Sequence, residues 1–371
     1  MDRLDSTGYY ALGVPMYAAV VAAELLVARA RRHRVYEFAP AIGNLAAGIG
    51  EVVLGLLLGP LLLALYDYGF DRIALVHWHN PCVTWPLAFL LGDLGYYGYH
   101  RAGHAIAGLW AIHGVHHHAE EMNFTVALRH PWFSDVYSAP FYAILPLAGV
   151  PVTEFFVAIS VISFYALTVH TRFFHRPGLY IFVTPRTHIV HHAKNPRYRG
   201  NNLGAMFTIW DRLFGTHVEL DPGDPPVLGT AEGYRTHDGA LAQWLGFRDL
   251  ARTMRATPRL ADKLRVLIKH PGWRPPGAAR PSDAPARPDA EIPRATKIYV
   301  AVTMALTVTG AMWVLWLRER HPPVFLIAGA LAILWSLIAT GALLDGRSSW
   351  WRYEVARVGF AAAAVIVAVV A

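Results

Sequence analysis

Residues 83–118 read VTWPLAFLLGDLGYYGYHRAGHAIAGLWAIHGVHHH. An apolar run begins near Val83 and leads straight into a polar helical stretch at His100, with histidines at set intervals beyond it. His100 and His104 form H-R-A-G-H; His113, His116 and His117 form H-G-V-H-H. On a helix, residues i and i+4 share a face with Cβ atoms roughly 5–6 Å apart, so two such imidazoles can grip one metal ion. The same geometry predicts His116 on one side with His113, and His117 turned by about 100° toward a second ion. His188, His191 and His192 repeat the pattern as H-I-V-H-H, and His170, at the end of the preceding apolar segment, is a ninth candidate. Twelve of the 19 histidines fall between His100 and His192, so the clustering is a property of one quarter of the chain.

Neutral imidazole is a borderline ligand that suits iron, zinc and copper. One ion takes about four to six ligands, so eight or nine histidines imply two ions. Two redox-active ions can share the electrons that cleave dioxygen. A zinc hydrolase would use three ligands and an acidic base, and no H-E-x-x-H occurs. The single cysteine, Cys82, excludes a thiolate site and an intramolecular disulfide. Asp93 lies seven residues before His100 on the same helical face. A carboxylate in an apolar span needs a partner, and it is read as an acceptor orienting a ligand imidazole or as the partner of an Arg in the bundle. Asn123 and Arg129 are expected to fix the loop near the metals or to bind a lipid head group. His118, His130 and His175 lie off the box pattern, and Tyr96, Tyr97 and Tyr99 either line a lipid channel or anchor at the interface.

The rest of the sequence supplies a membrane. Hydrophobic residues make up 54% and charged residues 16%, with a mean hydropathy of +0.31. That balance favours a membrane protein, and the net charge of +7 is read as arginine beside spans rather than as a nucleic-acid surface. Apolar runs are expected to span at about 9–28, 41–65, from 83, at 298–317, 324–344 and 355–371. The region 136–169, broken by Pro146 and Pro151, is read as two spans or one re-entrant hairpin. Arg29, Arg31, Arg32 and Arg34 follow the first run, which puts that end in the cytoplasm and, by counting spans, every histidine cluster with it. The predicted fold is an all-α, polytopic transmembrane helical bundle with a cytoplasmic histidine-rich helical cap. Its divisions are 1–82 for N-terminal spans, 83–217 for the di-metal domain, 218–295 for a cytoplasmic segment, and 296–371 for C-terminal spans. The cytoplasmic segment holds a helix at 243–268, either amphipathic on the membrane surface or simply docked, and a Pro-rich linker at 275–293.

The three boxes resemble those of the fatty acid hydroxylase and sterol desaturase superfamily. The similarity runs over about 92–216 and includes D-L-G-Y-Y at 93–97, N-F-T-V-A-L-R-H-P at 123–131, V-T-P-R-T-H before the third box, and W-D-R-L-F-G-T at 210–216. Within the superfamily the nearest resemblance is to the alkylglycerol monooxygenase family, through 245–273 ending K-H-P-G-W and through the additional C-terminal spans. The chain departs from that family at Ala105, where Glu is usual, and at His118, where Ser is commoner. The resemblance implies two iron ions, dioxygen and tetrahydrobiopterin as reductant. It implies hydroxylation of a lipid C–H bond, with a sterol or fatty acid hydroxylase, or a lipid desaturase on the same centre, as alternatives. From other classes, a histidine-lined transporter would place its histidines within the spans, and a haem carrier would leave most of the nine unused. The expected partners are a lipid substrate, O2, a separate electron donor or a pterin, and the membrane. The Ala- and Arg-rich composition suggests a bacterial cytoplasmic membrane, although an endoplasmic reticulum enzyme would take the same orientation.

Overall fold

Apolar runs set the helices here, and prolines, glycines and caps set their ends. The computed structural model describes residues 6–173, 181–275, 291–317 and 320–370; among them the chain is helical, with two isolated β-bridges and no strand. The expected Pro-rich linker lies mostly outside these residues, as does His175.

Helix α1 (Ser6–Ala30) ends at the arginine cluster, and α2 (Phe38–Ile73) follows. The 36 residues of α2 extend about 54 Å at 1.5 Å per residue, more than a bilayer core of about 30 Å. Helix α3 (Pro81–Ala105) starts where Asn80 accepts from the Cys82 amide at 2.9 Å, with Pro81 in the first turn. It runs unbroken from its apolar start through His100 and His104 and stops at Ile106, which is extended. The short helices α4 (Ala107–His113) and α5 (Phe124–Ala127) flank a 3₁₀ turn at His116–His118.

The 136–169 region forms three helices joined by turns, each shorter than α2. Helices α6 (Ser134–Tyr142) and α7 (Ile144–Leu147) are short, and α8 (Val152–Thr168) has 17 residues. The chain turns at Gly149, whose φ is 79° and where a Cβ would sit 1.9 Å from the Val76 carbonyl oxygen. Only glycine fits there.

Helices α9 (Pro185–His191) and α10 (Ile209–Leu213) complete the histidine region. The polar segment carries α11 (Gly239–Ala256) and α12 (Leu260–Ile268), and α13 (Arg294–Leu317), α14 (Pro323–Leu344) and α15 (Trp350–Val370) close the chain. Among the described residues α2, α13 and α14 are long and apolar enough to cross a membrane. The other runs expected to span, at α1, α3 and α15, are helical as well.

Two apolar cores carry the packing. Ala46, Ile49 and Val53 of α2 meet Met304, Val314, Phe325, Ile333 and Leu337 of α13 and α14. Ala88 of α3 meets Tyr142, Leu145, Val150 and Ala158 around the turn at Gly149. Between them, the face of α2 is kept thin: a Cβ on Gly50 would sit 2.3 Å from the Trp132 indole, whose Nε1 donates to the Ala47 carbonyl at 3.0 Å. A polar clamp ties α14 to the start of α11. Arg347 pairs with Asp238 at 2.6 Å, and Asp345 accepts from the Thr236 hydroxyl at 2.7 Å and the His237 amide at 2.9 Å. The C-terminal helices are thus bound into the same body as the histidine region.

Candidate metal centre

Each motif of the histidine region has a local structural cause. Thr184 and Thr187 form a capping box, with Pro185 in the first turn, and so start the short helix that carries His188 and His191. Asn123 accepts from the Thr125 amide at 3.0 Å and starts α5. Beyond His113 the α-helix gives way at Gly114 to the 3₁₀ turn holding His116–His118.

The nine histidines separate into two groups. His100, His104, His113, His117 and His191 form one; His116, His170, His188 and His192 form the other. In each, one ligand atom per residue lies within 4.8 Å of every other. In the second group, His170 Nε2 is 3.0 Å from His116 Nε2, 2.8 Å from His188 Nε2 and 3.3 Å from His192 Nε2. In the first, His113 and His117 Nε2 are 3.1 Å apart. Nitrogens about 2.1 Å from one ion stand roughly 3 Å apart at neighbouring corners, so these are the edges of a coordination polyhedron. The groups adjoin: the His117 and His192 ring centres are 4.6 Å apart, and those of His116 and His117 are 5.3 Å apart.

The grouping differs from the predicted one. His117, not His116, joins His113, and His191 crosses to the first group while His188 and His192 form the second. The i,i+4 pairs stay together in all three boxes because that step turns only about 40°, whereas i+3 turns about 60° the other way. The expectation for His116 assumed a continuous helix, which ends before it.

Backbone carbonyls fix the imidazoles. His100 Nδ1 faces the Leu203 oxygen at 2.8 Å, His170 Nδ1 the Ala166 oxygen at 2.8 Å, His191 Nδ1 the Asn201 oxygen at 2.9 Å, and His116 Nδ1 the Arg129 oxygen at 3.3 Å. A carbonyl only accepts, so each Nδ1 carries the proton and each Nε2 points a lone pair inward. His100, His104 and His191 Nε2 are buried with no hydrogen-bond partner. Lone pairs this close repel unless a cation lies among them, which is the arrangement a metal ion satisfies. Burial also pushes the imidazoles toward the neutral, ligand-competent form. It lowers His113, His116, His117, His188 and His192 well below the usual histidine range, His191 to about 4 and His170 to about 3.

The other expected site residues brace this core. Asp93 is fully buried but touches neither an imidazole nor an Arg; it accepts from the Met206 amide at 2.9 Å, the Phe207 amide at 3.2 Å and Trp210 Nε1 at 3.0 Å. It thereby holds the loop that presents the Leu203 carbonyl. Asn123 is buried, donates to the Val35 carbonyl and has no open face for a head group. Arg129 is equally enclosed, donating to the Val115 carbonyl at 3.0 Å, Asn44 Oδ1 at 3.2 Å and the Thr236 carbonyl at 3.4 Å. His118 stands outside both groups with its ring against Tyr234 at 4.9 Å, and His130 pairs with Glu51 at 3.4 Å. Tyr96 and Tyr99 pack against the His100 ring, while the Tyr97 hydroxyl meets Thr216 at 2.9 Å.

Three supporting groups escaped the sequence reading. The Tyr137 hydroxyl lies 3.3 Å from His113 Nδ1. Glu24, buried in α1, accepts from the Phe124 amide at 2.8 Å and from the Tyr36 and Thr171 hydroxyls, tying the anchor to the residue after His170. A lone carboxylate in an apolar helix was the available signal. Asp211 accepts from the Leu203 amide at 2.7 Å, the Gly204 amide at 2.9 Å and the Thr216 hydroxyl at 2.7 Å. Asp211→Ala releases the Leu203 and Gly204 amides and so loosens the loop whose Leu203 carbonyl orients His100. It is expected to weaken metal binding in the five-histidine group by about 10–100-fold, measured by competition with a chelator.

Comparisons with known proteins agree with this architecture. The fatty acid hydroxylase family model matches residues 85–216, the stretch that holds all nine histidines. Alkylglycerol monooxygenase of Xenopus tropicalis is 32% identical over 270 residues, covering 71% of this chain and 59% of that protein. The Homo sapiens protein of the same name is 29% identical over 319 residues, covering 83% of this chain and 71% of its own length. Ornithine lipid hydroxylase OlsE of Rhizobium tropici is 31% identical over 149 residues, 38% of this chain and 45% of that protein. The chain thus spans less than two thirds of the length of the Xenopus relative. No solved structure matches it significantly. Over residues 85–216, this integral membrane chain is thus similar to the fatty acid hydroxylase family.

Proposed function

We propose that the protein is a membrane di-iron monooxygenase that hydroxylates a C–H bond of a lipid, with an ether lipid of the alkylglycerol type as the first substrate to test. The observation that carries this reading is the pair of adjoining histidine groups, five and four, whose inward nitrogens lie at ligand–ligand spacing. His100, His104, His113, His117 and His191 would hold one ion; His116, His170, His188 and His192 would hold the other. Bound iron would supply the redox chemistry that places one atom of O2 in the C–H bond and releases the other as water, consuming two external electrons and two protons. The chain's own residues hold the imidazoles neutral and oriented and exclude bulk water from around them. An all-nitrogen donor set with no carboxylate suits redox-active iron better than magnesium or calcium. The printed functions of the relatives support the lipid class.

The metal centre is proposed to face the cytoplasm. The arginines after α1 support this, because the histidine loops meet that end of the helix: Asn123 bonds to Val35, and Arg31 lies over Phe173 at 5.6 Å. The electrons would come from a separate donor, tetrahydrobiopterin or a redox protein. The test is metal content of detergent-purified protein together with product analysis from a glyceryl ether, O2 and reduced pterin. Near two irons per chain and a hydroxylated product are expected. Well-folded protein without iron would sink the reading; iron without product on ethers, but with product on a sterol or fatty acid, would move the substrate.

A further inference from the structure

Helix α12 is packed the wrong way round for a helix facing water. Leu260, Leu264 and Ile268 are 73%, 55% and 65% exposed, while the side turned toward the protein carries Asp262 and Val266. The three apolar residues lie four apart and so cover an arc of about 80°. Lys263 borders that arc on one side and Arg265 on the other, the second paired at 2.8 Å with Asp262. Between residues 250 and 270 the chain carries Arg252, Arg255, Arg259, Lys263, Arg265 and Lys269 against the single carboxylate of Asp262. An outward apolar stripe edged by cations is the pattern of a helix lying in a lipid interface, with basic side chains reaching up to the head groups.

The position of α12 is fixed. The Lys269 carbonyl accepts from the Ala107 amide at 2.9 Å, joining the end of α12 to the start of α4, the helix that carries His113. We propose that α12 rests in the head-group region of an anionic membrane leaflet, with Leu260, Leu264 and Ile268 among the acyl chains and the surrounding cations on lipid phosphates. Charge complementarity selects this occupant. A second copy of the chain would bring the same cations against these, whereas an anionic leaflet neutralises them, and α2, α13 and α14 already hold the protein at a bilayer. The inference stands whatever reaction the metal centre performs.

The chain's single cysteine makes the test clean. In a Cys82→Ser background, Leu264→Cys is spin-labelled and the full chain is placed in lipid nanodiscs, either phosphatidylcholine alone or with one quarter phosphatidylglycerol. Power saturation compares access of oxygen, which concentrates in lipid, with access of a water-soluble nickel chelate. Severalfold greater access of oxygen is expected, rising further with phosphatidylglycerol. Leu260→Cys and Ile268→Cys sample the same stripe should the first variant fold poorly. Preferential access of the nickel chelate overturns the proposal. Equal depth in both disc types overturns the anionic assignment, and an immobilised label with dipolar broadening assigns the face to a second copy instead.

Discussion

His170→Ala is expected to empty the four-histidine group and abolish turnover. His170 is the hub of that group, with its Nε2 within 3.3 Å of the inward nitrogens of His116, His188 and His192. Its removal leaves three imidazoles and a gap large enough for water, in a pocket shaped for four. Bound iron should fall from near two per chain to near one. Several kcal/mol of barrier lowering rest on a catalytic metal, so product formation should fall by at least about a thousandfold. His191→Ala should act more mildly on metal content, because four histidines remain in its group. His118→Ala is the internal control, since that ring packs on Tyr234 outside both groups and its loss should leave iron unchanged. Mass-spectrometric metal analysis of the three purified variants decides the matter. Unchanged iron in His170→Ala would remove that residue from the centre.

The clustering of the nine histidines was legible because it is written in side chains at periodic spacing. The three boxes, with His170, contain every member of the two groups. Their division was not legible. It depends on where the α-helix after His104 stops, and the change to a 3₁₀ turn past Gly114 has no strong composition signal. The groups that orient the imidazoles were hidden for a deeper reason: most are backbone carbonyls, at Leu203, Ala166, Asn201 and Arg129, and a carbonyl is the same at every position. Only the side chains that hold those carbonyls in place leave a trace. Asp93 and Asp211 were both present in recognisable motifs, yet their action through the Leu203–Trp210 loop requires contacts more than 100 residues apart for Asp93. Helices α2, α13 and α14 were plain from hydropathy, whereas the way they pack together depends on complementary shapes such as Gly329 of α14 against Val314 of α13.

Arg129 shows how such distant contacts converge on the centre. Its guanidinium joins four parts of the chain: the Val115 carbonyl in the middle of the second box, Asn44 on α2, Thr236 ahead of α11 and, through the Thr236 hydroxyl, Asp345 after α14. Its own carbonyl orients His116. Burial lowers the guanidinium to about 10, opposed by Asp345, so the group remains charged at neutral pH. Arg129→Ala strands three acceptors at a cost of about 1–3 kcal/mol each, partly relieved by water, for a total on the order of 3–5 kcal/mol. A clear fall in melting temperature in detergent is therefore expected. Arg129→Lys keeps a charge but cannot fork to three acceptors, and should recover only part of the loss. Metal content separates positioning from bulk stability. Below the melting transition, iron should leave the four-histidine group of Arg129→Ala first, because the Arg129 carbonyl and the Val115 turn both set His116. Equal loss from both groups would make Arg129 a general support of the fold, and full retention would show that the His170, His188 and His192 nitrogens hold the ion without it.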